Sequence, residues 1–127
     1  MTAMDIINRL DLMEPNDYSP EQKLKWLSSL DGKIFNDVIL THELPEGSEA
    51  LKPPVYVNGN EELIIPEPHG TDVYYYYLQS MISSENNETQ RFSNRRMLYN
   101  NAYQEWVNFY NRTHMPRQAR GGNRFKF

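Results

Sequence analysis

Apolar residues recur at helical spacing over most of the chain and lose that spacing in one interior stretch. In 3–13, Met4, Ile7 and Leu10, with Met13 at the end, fall on one stripe that stops near Pro15, predicting a short first helix. The next segment opens Ser19-Pro20-Glu21-Gln22, with serine at the cap, proline at the first helical position and glutamine at the third. That is a capping-box pattern and the firmest local start signal in the chain. Leu24, Leu27, Leu30, Ile34 and Val38 follow at spacings of three and four, so the stripe runs to about Leu40, with Gly32 as a point of interruption or bending.

Between 42 and 70 the periodicity fails. Five of the eight prolines lie there, together with Gly47, Asn58 and Gly59. The runs PPVYV and ELIIP flank NGNE, whose Asn58-Gly59 favours a hairpin turn, so an extended loop with a short β-hairpin is expected. Such a loop either serves as an interaction arm or packs over its own core.

Helical spacing then returns. Thr71 or Asp72 can cap a helix with Tyr74, Tyr77, Leu78 and Met81 on its inward stripe. Four consecutive tyrosines, Tyr74 to Tyr77, step about 100° apart around a helix, so one core face cannot absorb them all. Tyr75 and Tyr76 therefore face either a partner or water. After SSENNET, a last and longest helix places Phe92, Tyr99, Ala102, Trp106 and Phe109, flanked by Tyr103 and Tyr110, on a broad aromatic face and stops at Pro116. The predicted fold is mainly α: a small bundle of about four helices over 1–116, a proline-rich loop and hairpin at about 42–70, and an extended tail over 117–127.

At 127 residues the chain fits one domain with a single modest core, since 39% of residues are hydrophobic and 24% charged. It has no cysteine, which removes disulfides, thiolate metal sites and a cysteine nucleophile. No apolar run nears the roughly 20 residues of a membrane span, and MTAMDIINRLDLM lacks the layout of a secretion signal, so a cytosolic protein without membrane contact is expected. The sequons at Asn87 and Asn111 are then chance.

Motifs of catalysis are missing from the sequence. His42, His69 and His114 are scattered at element ends or in loops, outside any zinc-binding pattern, and read as surface or capping residues. Neither a phosphate-binding glycine loop nor a Gly-x-Ser-x-Gly elbow occurs. The acidic stretches ELPEGSE and NEELIIPEPH read as solvated loops. No catalytic residue, metal site or cofactor is expected.

Charge is unevenly distributed. The net charge is −4, yet RQARGGNRFKF at the end holds Arg117, Arg120, Arg124 and Lys126 and no acid, leaving the rest of the chain near −8. The tail is either a docking arm for acidic protein or nucleic acid, or a solvated terminus. Arg120-Gly121-Gly122 with Arg124, Phe125 and Lys126 forms one fragment of an arginine-glycine-glycine segment, and Arg91, Arg95 and Arg96 add positive charge to the last helix. The acidic body disfavours broad phosphate binding. Surplus tyrosines and a basic tail together favour a subunit of an assembly, because tyrosine and tryptophan supply contact area at low entropy cost.

YSPEQKLKWLSSLDGKI, ELIIPEPH leading into YYYYLQSMI, and YNNAYQEWVNFYNRTHMP together resemble the small head-to-tail connector, or adaptor, proteins of tailed bacteriophages and prophages. The resemblance spans about 18–116, and Asn111 to Pro116 is its most distinctive part. It implies a mainly helical subunit made in the bacterial host cytoplasm and incorporated in the virion neck, forming a ring, commonly of twelve copies, under the portal. The implied function is structural: extending the DNA channel, without sequence-specific DNA binding, and joining portal to stopper or tail proteins. The implied portal contacts are Arg117, Arg120, Arg124, Phe125, Lys126 and Phe127, and the implied subunit interface is Tyr75 and Tyr76. A stopper or tail-completion protein, or a small nucleic-acid-binding protein using the basic tail, are the other readings.

Overall fold

A computed structural model describes residues 1–41 and 55–114, and they form a mainly helical bundle. Four helices follow one another, α1 (Ala3–Met13), α2 (Pro20–Asp37), α3 (His69–Glu85) and α4 (Thr89–Thr113), with a 3-10 turn at Ile39–Thr41. The predicted helices stand in order, and α4 is the longest. The tail over 117–127 and the loop residues 42–54 lie outside the described residues.

The first two helix starts have local causes. Thr2 Oγ1 accepts from the Asp5 N–H at 3.2 Å while the Asp5 carboxylate accepts from the Thr2 N–H at 2.9 Å, a reciprocal cap. The next two donors of that turn find acceptors far along the chain: Ala3 N–H donates to Glu61 O and Met4 N–H to Gly59 O. In α2, Ser19 Oγ accepts from the Gln22 N–H at 3.1 Å and Pro20 occupies the first turn, as the sequence pattern predicts.

The stripe of α2 is buried throughout, from Leu24 through Leu27, Leu30 and Ile34 to Val38. Gly32 does not interrupt the element: the helix runs on to Asp37, and a Cβ at Gly32 would meet nothing within 4 Å. Gly32→Ala is therefore expected to stabilise the protein by about 0.5–1 kcal/mol, through reduced backbone entropy of the unfolded chain. A urea titration reads this directly, and a loss of stability would show that the site needs glycine for another reason.

Helix α1 is rotated relative to expectation. Ala3, Ile6, Ile7 and Leu10 are buried, whereas Met13 is 63% exposed and Met4 half-buried. Centring the buried arc on the adjacent Ile6 and Ile7 moves Met4 to its edge, whereas Met13 is exposed as the last residue of the helix.

Helix α3 begins at His69, earlier than Thr71 or Asp72, with Pro68 at the cap position and no side-chain cap. Its core face is Val73, Tyr74, Leu78 and Ile82, leaving Tyr77 and Met81 half-buried instead of inside. The helix turns back at Asn86–Asn87, where Glu88 N–H donates to Ser83 O and Asn87 N–H to Ser84 O. This paired closure needs a left-handed residue, and Asn87, at φ 59°, supplies it. Helix α4 then runs antiparallel along α3, with Tyr77 against Tyr99 at 5.2 Å between ring centroids and His69 against Phe109 at 4.9 Å. Tyr99 and Trp106 are the buried residues of α4, and Phe109 is 40% exposed.

The expected hairpin is not formed among the described residues. Asn58-Gly59 does turn, with Gly59 at φ +89°, but its flanks do not pair. Glu61 takes the donors nearest the turn, its carboxylate accepting from Val57 N–H and Gly59 N–H at 2.9 Å each. The far side instead bridges to the start of the chain, Thr2 against Glu62, with Leu63 N–H donating to Met1 O. Residues 55–65 thus cover the bundle as a strap between α1 and α2.

Candidate functional site

Two features could serve a function: a buried polar hub that fixes the aromatic helices, and the aromatic surface those helices present. The hub centres on Asp31, which lies on the core side of α2 between Leu30 and Ile34 and is fully buried. Tyr74 Oη donates to its Oδ1 at 2.6 Å, Ile64 N–H donates to its Oδ2 at 3.1 Å, and Tyr56 Oη donates to the same oxygen. The Tyr74 hydroxyl in turn accepts from Ile65 N–H at 2.9 Å, and Tyr56 N–H donates to Ser28 Oγ at 3.0 Å. One carboxylate therefore ties α2, α3 and the strap together. Burial raises the Asp31 pKa, and the three donated bonds only partly offset it. The Tyr74 and Tyr56 hydroxyls are pushed far up, by burial first and by the Asp31 charge second, so both remain donors.

Two ion pairs complete the frame. Lys23, buried on α2, reaches Asp11 at 2.5 Å. Arg95 forms a two-pronged pair with Glu14, at 2.7 and 3.0 Å, and also donates to Ser83 Oγ and Gln79 O, so the end of α1 is locked to both long helices.

Among the residues expected to form an interface, Tyr75 and Tyr76 are both half-buried. Their rings lie 6.0 Å apart, and the Arg9 guanidinium sits 5.6 Å from the Tyr75 centroid. They pack partly against the core and leave the remainder of each ring uncovered. Along α4 the rings continue as a ladder: Tyr99 to Tyr103 at 5.8 Å, Tyr103 to Trp106 at 6.1 Å, Trp106 to Tyr110 at 5.2 Å, and Tyr110 to His114 at 3.8 Å. Large apolar side chains are also exposed on the outer surface, notably Leu12, Met13, Met97 and Leu98.

The tail residues Arg117, Arg120, Arg124, Phe125, Lys126 and Phe127 lie outside the described residues, as does His42. His69 opens α3, and His114 follows α4. Among the described residues there is no group of three or more histidine, aspartate or glutamate side chains placed to hold a metal ion, and no helix is long and apolar enough to cross a membrane. Sequence reasoning missed Asp31. The signal was an acidic residue inside the stripe Leu27, Leu30, Ile34, where a solvated carboxylate does not belong.

No protein-family model, no curated protein and no solved structure matches the chain.

Proposed function

We propose that the protein is a structural subunit of an assembly, of the head-to-tail connector kind that its sequence resembles. The observation that carries this reading is the half-covered Tyr75–Tyr76 pair on a helix whose other side is locked into the core by Tyr74. Such a helix has one face fixed and another free to meet a neighbour. Tyrosines held in that way lose little conformational freedom on contact and offer area together with a polar tip. In this reading the tail over 117–127 docks on the portal, with its four cations meeting acidic groups and Phe125 and Phe127 filling pockets. The proline-rich stretch at 42–70 acts as a second contact arm. The subunits close into a ring whose acidic wall lets DNA pass without gripping its phosphates.

Co-expression with a portal protein, followed by native mass measurement of the purified complex, tests the reading. A symmetric ring on the portal supports it. A folded monomer beside intact portal moves the assignment to a stopper, a tail-completion protein or a nucleic-acid binder, and salt-dependent DNA binding that vanishes on removal of 117–127 would identify the last of these.

The double substitution Tyr75→Ser with Tyr76→Ser is expected to weaken ring formation at least about tenfold while shifting the melting temperature by only a few degrees. Intact assembly alongside a collapse in thermal stability would place both rings in the core instead.

A further inference from the structure

Arg95 and Arg96 are neighbours in sequence with opposite surroundings. Arg95 has a carboxylate, a hydroxyl and a carbonyl around its fork. Arg96 has rings. Its guanidinium carbon lies 5.3 Å from the centroid of Tyr77, 5.1 Å from Phe92 and 5.5 Å from Tyr99. Its Nη2 reaches the Met81 sulfur at 3.7 Å, a weak acceptor, and its Nε is buried with no hydrogen-bond partner. A guanidinium walled by aromatic faces has shed much of its water, and among the described residues no carboxylate pairs with it. An anion presented to its edge would recover that loss.

The space for one exists. A cavity of about 300 Å³ opens between α2 and the aromatic helices, lined by Arg96, Lys33, Asp37 and the rings of Tyr77, Tyr99 and Tyr103. The Lys33 ammonium contributes a second cation from α2, and Asp37, the single acid of the lining, forms no ion pair with either. Burial raises the three tyrosine hydroxyls, which leaves them protonated and able to donate. The lining is therefore net positive on a body whose charge is near −8, and rich in donors beside flat apolar walls.

We propose that this cavity is an oxoanion site, in which the Arg96 fork and Lys33 hold one carboxylate or phosphate group while the tyrosine rings enclose its stem. Planar two-point recognition by arginine suits either group. The source is either a free small anion or an acidic side chain from a second copy of this chain. The inference does not depend on the connector reading, because the pairing deficit belongs to the single subunit.

The Arg96 Nε–H, being buried, gives a resolvable NMR signal in the full-length protein. Inorganic phosphate titrated at constant ionic strength is expected to move that signal saturably. The affinity should drop at least about tenfold in Lys33→Ala, whose exposed position leaves the fold intact, and in Arg96→Lys, which keeps the charge and loses the fork, saturation should vanish when followed on the backbone amide signals of residues 96 and 99, which are read in the wild type as well. A phosphate shift independent of protein concentration assigns a free oxoanion. A shift that appears with rising protein concentration in chloride alone, and that phosphate reverses, assigns the carboxylate of a second copy. A signal unmoved by phosphate and by concentration, or phosphate affinities equal in the wild type and both variants, overturns the proposal.

Discussion

Asp31→Ala is expected to lower the unfolding free energy by about 3–5 kcal/mol, a large share of the stability of a domain this size. The change strands three donors at once, the Tyr56 and Tyr74 hydroxyls and the Ile64 N–H, around a side chain that is fully buried. Asp31→Asn should cost less, about 1–2 kcal/mol, because its carbonyl still accepts on one side. The two variants also separate in acid. Burial raises the folded pKa of Asp31 above its ordinary value near 3.8, so this group favours the fold most when protonated. Its contribution is complete below 3.8 and declines as pH rises through the raised folded value. The stability gap between wild type and Asp31→Asn should therefore be widest in acid and narrow towards neutral pH. Urea unfolding across a pH series measures it, and a gap that widens with rising pH would mean that the three donors outweigh burial.

Gly70→Ala is expected to cost about 3 kcal/mol, at the upper end of overpacking penalties. A Cβ at Gly70 would lie 2.2 Å from the Ile65 carbonyl oxygen and 2.9 Å from the Met1 methyl. The methionine can swing away. The carbonyl cannot, because Tyr74 binds the Ile65 N–H and Gly70 N–H is itself donated to Pro66 O. Chemical denaturation of Gly70→Ala beside Gly32→Ala gives opposite signs for the same substitution, and wild-type stability in Gly70→Ala would show that the strap yields easily.

What could be read from the sequence follows the range of the forces involved. The Ser19-Pro20 start and the Leu24 to Val38 stripe were legible because a cap and a period of 3.6 act within one helix. The rotation of α1, the early start of α3 and the half-burial of Tyr77 were not, since each depends on what the strap and Asp31 occupy. Asn58-Gly59 correctly signalled a turn, but the hairpin pattern ignored Glu61, whose carboxylate takes the N–H groups a ladder would use. For the candidate site, the surplus of Tyr75 and Tyr76 followed from four tyrosines in a row. The Arg96 cage combines residues at 77, 92 and 99 with a cavity against α2, and no single segment encodes that meeting.

The strap also sets an order of events during synthesis. Helix α1 leaves the ribosome first, yet the acceptors for its Ala3 and Met4 donors are the carbonyls of Glu61 and Gly59, made almost sixty residues later. An isolated helix of 11 residues is marginal in water, so α1 stays unsettled until the strap emerges. Helices α3 and α4, joined by a tight local turn, can close on each other as soon as both exist. Of the four helices, the two made later are thus the first able to form a stable pair, and α1 is secured late.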